Sequence, residues 1–386
     1  MGSIDTYIVG IGAFLPNAPV NNDEIEEMLG FVNAFSSPTK RRVLALNGIK
    51  SRFYAIDPAT GLETHTNASM TAEAIRRAAK QAGLTTEDLD CVVCGTSSAD
   101  QLVPSHGSMV HAELGCAACE VATTSGVCCA GMAALKYAHM HVATGSGRHA
   151  VATGSELVSV SLRASRFTPE IQLKRTDLDR EPKLAFENDF LRWMLSDGAG
   201  AVWVTHAPCD NGLSLRIDWI DLLSFASESD TCMYAGMRKQ ENGSIIGYRS
   251  ISDPLELCRG GYLSLAQDVR VLQNNLPALM RKAICRVQQK RNLRADRIEW
   301  LLPHYSSESF RQPLYDGLAK LGLVIPFSRW FTNLTTKGNT GSASIYIILE
   351  ELLYSGQVKS GDRILCIVPE SARMSFAFVH LTATEA

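Results

Sequence analysis

Apolar strand-like runs alternate with helical patterns along almost the whole 386-residue chain, and this rhythm restricts it to a layered α/β fold. TYIVGIGAFLP (6–16) reads as a strand, and NNDEIEEML (21–29) as a helix capped by Asn22. Residues 38–46 read as a second short helix. SMTAEAIRRAAKQAG (69–83) is an amphipathic helix with Ser69 as cap and Gly83 as stop. Then come a strand in DLDCVVCGTS, a helix over 105–115, and a strand running into a small-residue helix over 121–138. A further strand follows at 148–154. After a charged, irregular excursion over about 156–193, the strand-like GAVWVTHAP closes the first half. The second half repeats the habit. It has a strand at 213–224, helices at 263–290 and 311–323, a strand at 297–304, a helix at 342–353, and strands at 363–369 and 374–381. This spacing predicts mostly parallel strands covered by helices on both faces. Near-equal halves, 1–210 and 211–386, suggest an internal duplication.

Composition narrows the function classes. A chain that is 46% hydrophobic and 20% charged can bury a sizeable core. A formal net charge of -3 gives no global attraction for nucleic acid. The N-terminus lacks the charged head and apolar run of a signal peptide, and no run of 18 apolar residues predicts a membrane span. Eleven cysteines invite a disulfide reading, but a chain of 386 residues does not need such staples, and the missing signal pattern leads us to expect a reducing cytoplasm. Cys91-x-x-Cys94 and Cys116-x-x-Cys119 have zinc-like spacing. The first pair lies in a strand pattern, however, where positions three apart face opposite sides, so no metal is expected there.

Three motifs carry chemistry. VATTSGVCCAGMAALKYA (121–138) puts Cys128 and Cys129 where a strand meets a helix. A thiol at that position meets unpaired amides and the positive helix end, which favour thiolate. The alternative is a small buried hydrophobe. The two side chains leave such a helix about 100° apart, so they are not expected to share a role. LLPHYSS places His304 at a strand exit, where open α/β sheets keep ligands, or as a structural histidine. LTTKGNTGSAS offers Asn339 as a side-chain N–H donor or a turn former.

Together with SDGAGAVWV (196–204), GIGAFLPNAPVNNDEI, GIKSRF and VPSHGSMVHAELG, these motifs resemble β-ketoacyl-ACP synthase III enzymes of the thiolase superfamily, in the same order along nearly the whole chain. The resemblance implies a thiolase-like five-layered α-β-α-β-α fold of two pseudo-duplicated halves, the first carrying the nucleophile and the second the histidine and asparagine. It also implies a homodimer. Cys129 matches the acylated nucleophile, and His304 and Asn339 match the pair that hydrogen-bonds the acceptor thioester. The implied reaction is a Claisen condensation of acyl, β-ketoacyl or malonyl thioesters on CoA or acyl carrier protein, with no other cofactor.

Several residues bear on specificity. Val103, before Pro104, stands where the housekeeping enzymes often have an aromatic closing the acyl pocket, so a roomier pocket is expected. PESARM (369–374) replaces the family's glycine-rich loop beside the oxyanion site. His304 is followed by Tyr-Ser-Ser and not by the usual Gln-Ala-Asn. Such departures favour secondary metabolism, among them the ketosynthase/cyclases that form cyclohexanediones on the way to dialkylresorcinols. Acyl transfer to oxygen or nitrogen, or a non-catalytic partner subunit, are the competing readings. The basic run at 281–297, with Arg281, Lys282, Arg286, Lys290 and Arg291, reads either as a solvated helix face or as a docking patch for carrier protein or CoA phosphates.

Overall fold

The computed structural model describes residues 4–32, 36–37, 39–166, 191–240 and 242–385. Nine strands form the main sheet: β1 (Tyr7–Phe14), β2 (Cys91–Thr96), β3 (Glu120–Ser125), β4 (His149–Glu156), β5 (Gly198–Thr205), β6 (Ser214–Ser224), β7 (Trp300–Pro303), β8 (Arg363–Glu370) and β9 (Ser375–Thr384). Their spatial order is β7-β8-β9-β6-β1-β5-β4-β2-β3. Each half follows one plan. In the first, β3-β2-β4-β5-β1 run side by side; in the second, β7-β8-β9-β6 repeat the same order. The counterpart of β3 is reduced to a single bridge between Trp330 and Leu301. The halves join where β1 pairs β6 through Tyr7↔Arg216 and Ile8↔Leu215.

The expectation of mostly parallel strands is corrected. Only β2–β3, β2–β4 and β7–β8 are parallel. The pairs β1–β5, β4–β5, β8–β9, β6–β9 and β1–β6 are antiparallel. Parallel neighbours need a crossover element, whereas β8 returns as β9 through a short turn, and a return of that kind leaves no periodic signal.

The principal helices are α1 (Asn67–Ala82), α2 (His106–Leu114), α3 (Ala130–Ala143), α4 (Val269–Arg291), α5 (Arg311–Ala319) and α6 (Ser344–Tyr354). Helices α3 and α6 fill the space between the two halves of the sheet, in a core with Ile8, Val93, Val202, Ile217, Leu302 and Ile364. Helices α1 and α2 cover the outer face of the first half, and α4 and α5 that of the second. Five layers, α-β-α-β-α, result.

Local signals shift at several helix starts. The first helix is only Ile25–Leu29 and begins after Glu24. Asn22 does not cap it; its amide donates to Ile49 O and its oxygen accepts from Arg52. Thr66, not Ser69, caps α1, and Ser69 is the reciprocal member of that capping box. Helix α4 starts at Val269 because Asp268 accepts from the Arg270 and Val271 amides. In the 156–193 excursion, Ser159–Leu162 forms one helical turn, and residues 167–190 lie outside the described residues.

Candidate active site

Strand β3 delivers the chain to the N-terminus of α3, which runs between the two halves of the sheet. The small residues there have a steric cause. A Cβ on Gly131 would stand 2.6 Å from Ser342 O, and one on Gly154 of β4 would stand 2.1 Å from the same atom. Cys129 occupies the N-cap position. Its Sγ donates to Val368 O at 3.3 Å, so the thiol proton is directed at the end of β8.

The amides at this helix start are already occupied. Val127 N–H and Cys129 N–H both donate to one oxygen, Oε2 of Glu370, at 2.9 and 3.0 Å. Glu370 is the last residue of β8 and is 9% exposed. The expected thiolate is therefore corrected for this state. Burial first, and then the Glu370 charge, push the Cys129 thiol well above its ordinary range. Cys128 is raised as well, by burial, Glu370 and Glu156. The helix N-terminus does attract negative charge, but Glu370 supplies it.

His304 follows β7 directly, and its N–H donates to Ile367 O at 2.8 Å. It is 3% exposed, and burial lowers its pKa to about 4, so the imidazole is neutral at ordinary pH. No described residue hydrogen-bonds its ring nitrogens, which leaves the ring free to serve a ligand. Asn339 is fixed at both ends of its peptide: its N–H donates to Met194 O and its O accepts from Ser196 N–H. The Asn339 side-chain oxygen accepts from Gly341 N–H at 3.0 Å, so Nδ2 is the end left for a ligand.

His304 and Asn339 share the wall of one cavity of about 90 Å³ with Val127, Cys128, Pro369 and Ser371. Its far wall is apolar, with Leu195, Leu272, Leu276, Met280, Phe310 and Leu314 among the contributors. Cys129 itself is not part of the wall, although its neighbours on both strands of the approach are. Two buried carboxylates hold the surrounding loops. Asp197 of SDGAG accepts from the Ala55, Val158 and Ser159 amides at 2.8, 2.7 and 2.9 Å, and burial pushes its pKa up to about 6. Glu156 accepts from the hydroxyls of Ser97 and Ser98 at 2.6 and 2.7 Å. Sequence reasoning missed the roles of Glu156 and Glu370. The PESARM departure was the visible signal for Glu370.

Other sequence candidates separate. Val103 is 82% exposed, and neither it nor Pro104 lines the cavity of the single chain. Of the basic run, Lys290 and Arg291 both bind Asp221, at 2.6 and 2.7 Å, and Lys282 pairs with Glu228. Arg286 lies over the Phe225 ring, whereas Arg281 borders the cavity. Cys91 and Cys94 point to opposite faces of β2, into separate core clusters, so the four cysteines do not converge on one ion. His111, Cys116 and Cys119 do bring three ligand atoms within 4.8 Å of one another, as do Cys91, Glu120 and His141. Both sets lie at the opposite end of β2 and β3 from Cys129. Among the described residues, no helix is long and apolar enough to cross a membrane.

Residues 288–368 match the family model described as 3-oxoacyl-[acyl-carrier-protein] synthase III C terminal, which takes in both His304 and Asn339. The β-ketoacyl-[acyl-carrier-protein] synthase III of Clostridium perfringens is 24% identical over 360 residues, covering 93% of this chain and 94% of the relative. That of Roseobacter denitrificans is 27% identical over 368 residues, covering 94% of each. Over nearly its whole length the chain is thus similar to synthase III enzymes. Solved structures share its fold. AbyA1, a tetronic acid condensing enzyme, matches with a TM-score of 0.77 at 20% identity, over 98% of this chain and 99% of its own. Xanthomonas campestris OleA with bound lauric acid and lauroyl-CoA matches with a TM-score of 0.74 at 17% identity, over 98% and 99%.

Proposed function

We propose that Cys129 takes the acyl group from a CoA or carrier-protein thioester and that His304 and Asn339 then activate a second thioester for condensation. The observation that carries this reading is the convergence of a neutral buried histidine and an anchored asparagine on an apolar cavity beside the N-terminus of α3. In the first step the sulfur bonds to the thioester carbonyl carbon, and the tetrahedral oxyanion needs N–H donors such as that of Cys129. Collapse expels the carrier thiol, which leaves with the proton lost by Cys129. In the second step the His304 ring N–H and Asn339 Nδ2 donate to the acceptor carbonyl and stabilise its enolate, formed by loss of CO2 or of a proton. Its carbon bonds to the acyl carbon as the C–S bond to Cys129 breaks, and the released thiolate takes up the proton lost by the acceptor or, after loss of CO2, one from solvent.

The apolar wall suits an alkyl chain, but about 90 Å³ is small for a ligand site. Rotation of flexible side chains such as Met280 and Leu276 is the route to more room. The substrates we favour are two β-ketoacyl thioesters, with ring closure to a cyclohexanedione; likeness to a tetronic acid condensing enzyme supports a cyclic product. Arg281, on the cavity wall, is the proposed contact for the carrier's phosphopantetheine or CoA phosphates. We also propose a homodimer formed through the face that carries the unpaired edge of β3 with exposed Leu102 and Val103.

Intact-protein mass after exposure to a panel of acyl and β-ketoacyl thioesters tests the core of this reading. Wild type and C128A should gain one acyl group and C129A none. An adduct that persists in C129A and disappears in C128A would move the nucleophile to Cys128.

A further inference from the structure

An oxyanion site exists to hold a substrate oxygen, yet here two amides at the start of α3 hold an oxygen of the protein. Glu370 Oε2 accepts from Val127 N–H at 2.9 Å and from Cys129 N–H at 3.0 Å. Two donors converging on one oxygen is the arrangement required by the tetrahedral intermediate of acyl transfer. The carboxylate is held in place by its position at the end of β8, by the adjoining Pro369, and by the short turn through Ser371–Met374 into β9. On either side of it, Pro369 and Ser371 line the cavity, as do Val127 and Cys128, whereas Cys129 does not.

We propose that Glu370 is a resting occupant of the oxyanion site, which the thioester carbonyl must displace before Cys129 can be acylated, so that this residue sets the rate and pH dependence of acyl loading. The inference rests on Cys129 being the nucleophile. Two physical effects act together. A carboxylate is a stronger acceptor than a neutral thioester carbonyl, so it competes directly for the donors. Its charge also opposes formation of a thiolate beside it. The other titratable groups around the thiol are Cys128 on the same turn, Glu156 at the end of β4, His304 after β7, and Arg281 across the cavity. His304 is neutral, and Glu156 is engaged with serine hydroxyls, which leaves Glu370 as the charge in contact with the nucleophile's own amide.

The test compares wild type with E370Q and E370G. Cys129 alkylation by iodoacetamide is followed between pH 6 and 10 by peptide mapping, and acyl loading from octanoyl-CoA is followed by intact mass. Removing a neighbouring charge moves a pKa by roughly 1–3 units, so alkylation at pH 7 should rise at least about tenfold, with its inflection displaced to lower pH. Loading should rise in both variants, and most in E370G, where no side chain can return to the amides. Unchanged profiles would overturn the proposal. So would slower loading in E370Q with its thermal midpoint preserved, because that result would make Glu370 a base and not an occupant. Peptide mapping keeps the two ideas separate: loading at Cys128 defeats the nucleophile assignment, whatever the Glu370 variants do.

Discussion

At the level of single residues, the site depends on what burial does to each ionisable group. His304 has its pKa lowered to about 4, so it remains a neutral donor through the range in which an exposed histidine would titrate. Asn339 offers the same kind of neutral N–H, with its oxygen tied to Gly341. The proposed division of labour makes these two act after the acyl group is in place. H304A and N339A should therefore each lower condensation by about 10²–10³-fold while leaving acyl loading of Cys129 within a few-fold of wild type. Single-turnover loading and product release, measured separately, check this. Equal loss in both steps would place the pair in acylation as well. The sequence marked all three residues by type and surroundings. It left Glu370 unassigned, because a carboxylate 241 positions away from Cys129 meets that residue's amide only after β8 packs against α3.

Elements distribute the basic residues of α4 into different environments, which a charge count cannot do. A 23-residue helix presents every direction in turn, and the run of cations is thereby divided. Lys290 and Arg291 face β6 and neutralise Asp221, which is 5% exposed. Arg281 faces the cavity instead. The two kinds of substitution should consequently part company. R291A should lower stability by about 1–3 kcal/mol, since it removes charge-assisted hydrogen bonds from a buried carboxylate. R281A should leave the denaturation midpoint near wild type and raise KM for the carrier or CoA substrate roughly tenfold. Chemical denaturation and steady-state kinetics on both variants decide the matter. A stability loss in R281A with unchanged KM would return that residue to a structural role. The same division explains the hairpin β8–β9. Its two strands were legible as strands, but their antiparallel pairing was not, because the short turn between them has no periodicity to read.

Across the whole molecule, the duplicated order of strands brings two loop systems together at one place. The N-terminus of α3 comes from the first half, while His304, Asn339 and Glu370 come from the second. The sheet ends at β3 on the side of the first half, and the outer edge of that strand has no strand partner among the described residues. Such an edge is a template for pairing with another chain. Leu102 and Val103, 73% and 82% exposed, lie on the connection from β2, the strand beside β3, to α2. The proposed dimer predicts that the protein sediments at twice its 42.0 kDa chain mass and that L102D/V103D shifts it towards monomer with slower acyl loading. A monomeric wild type with full activity would remove Val103 from any pocket.

The sequence by itself determined the layered α/β fold, and it singled out Cys129, His304 and Asn339 as the candidates for the site. The fold class follows from periodicity, and the three candidates from short motifs and the resemblance those motifs carry, all of which are local. Only the tertiary structure decided which strands run antiparallel, which cations are already paired, and that Val103 stands away from the cavity of its own chain. It also decided that Glu370 lies on the amides beside Cys129. Each of these depends on residues far apart in the chain being brought within hydrogen-bond or packing distance, and no local pattern encodes that distance.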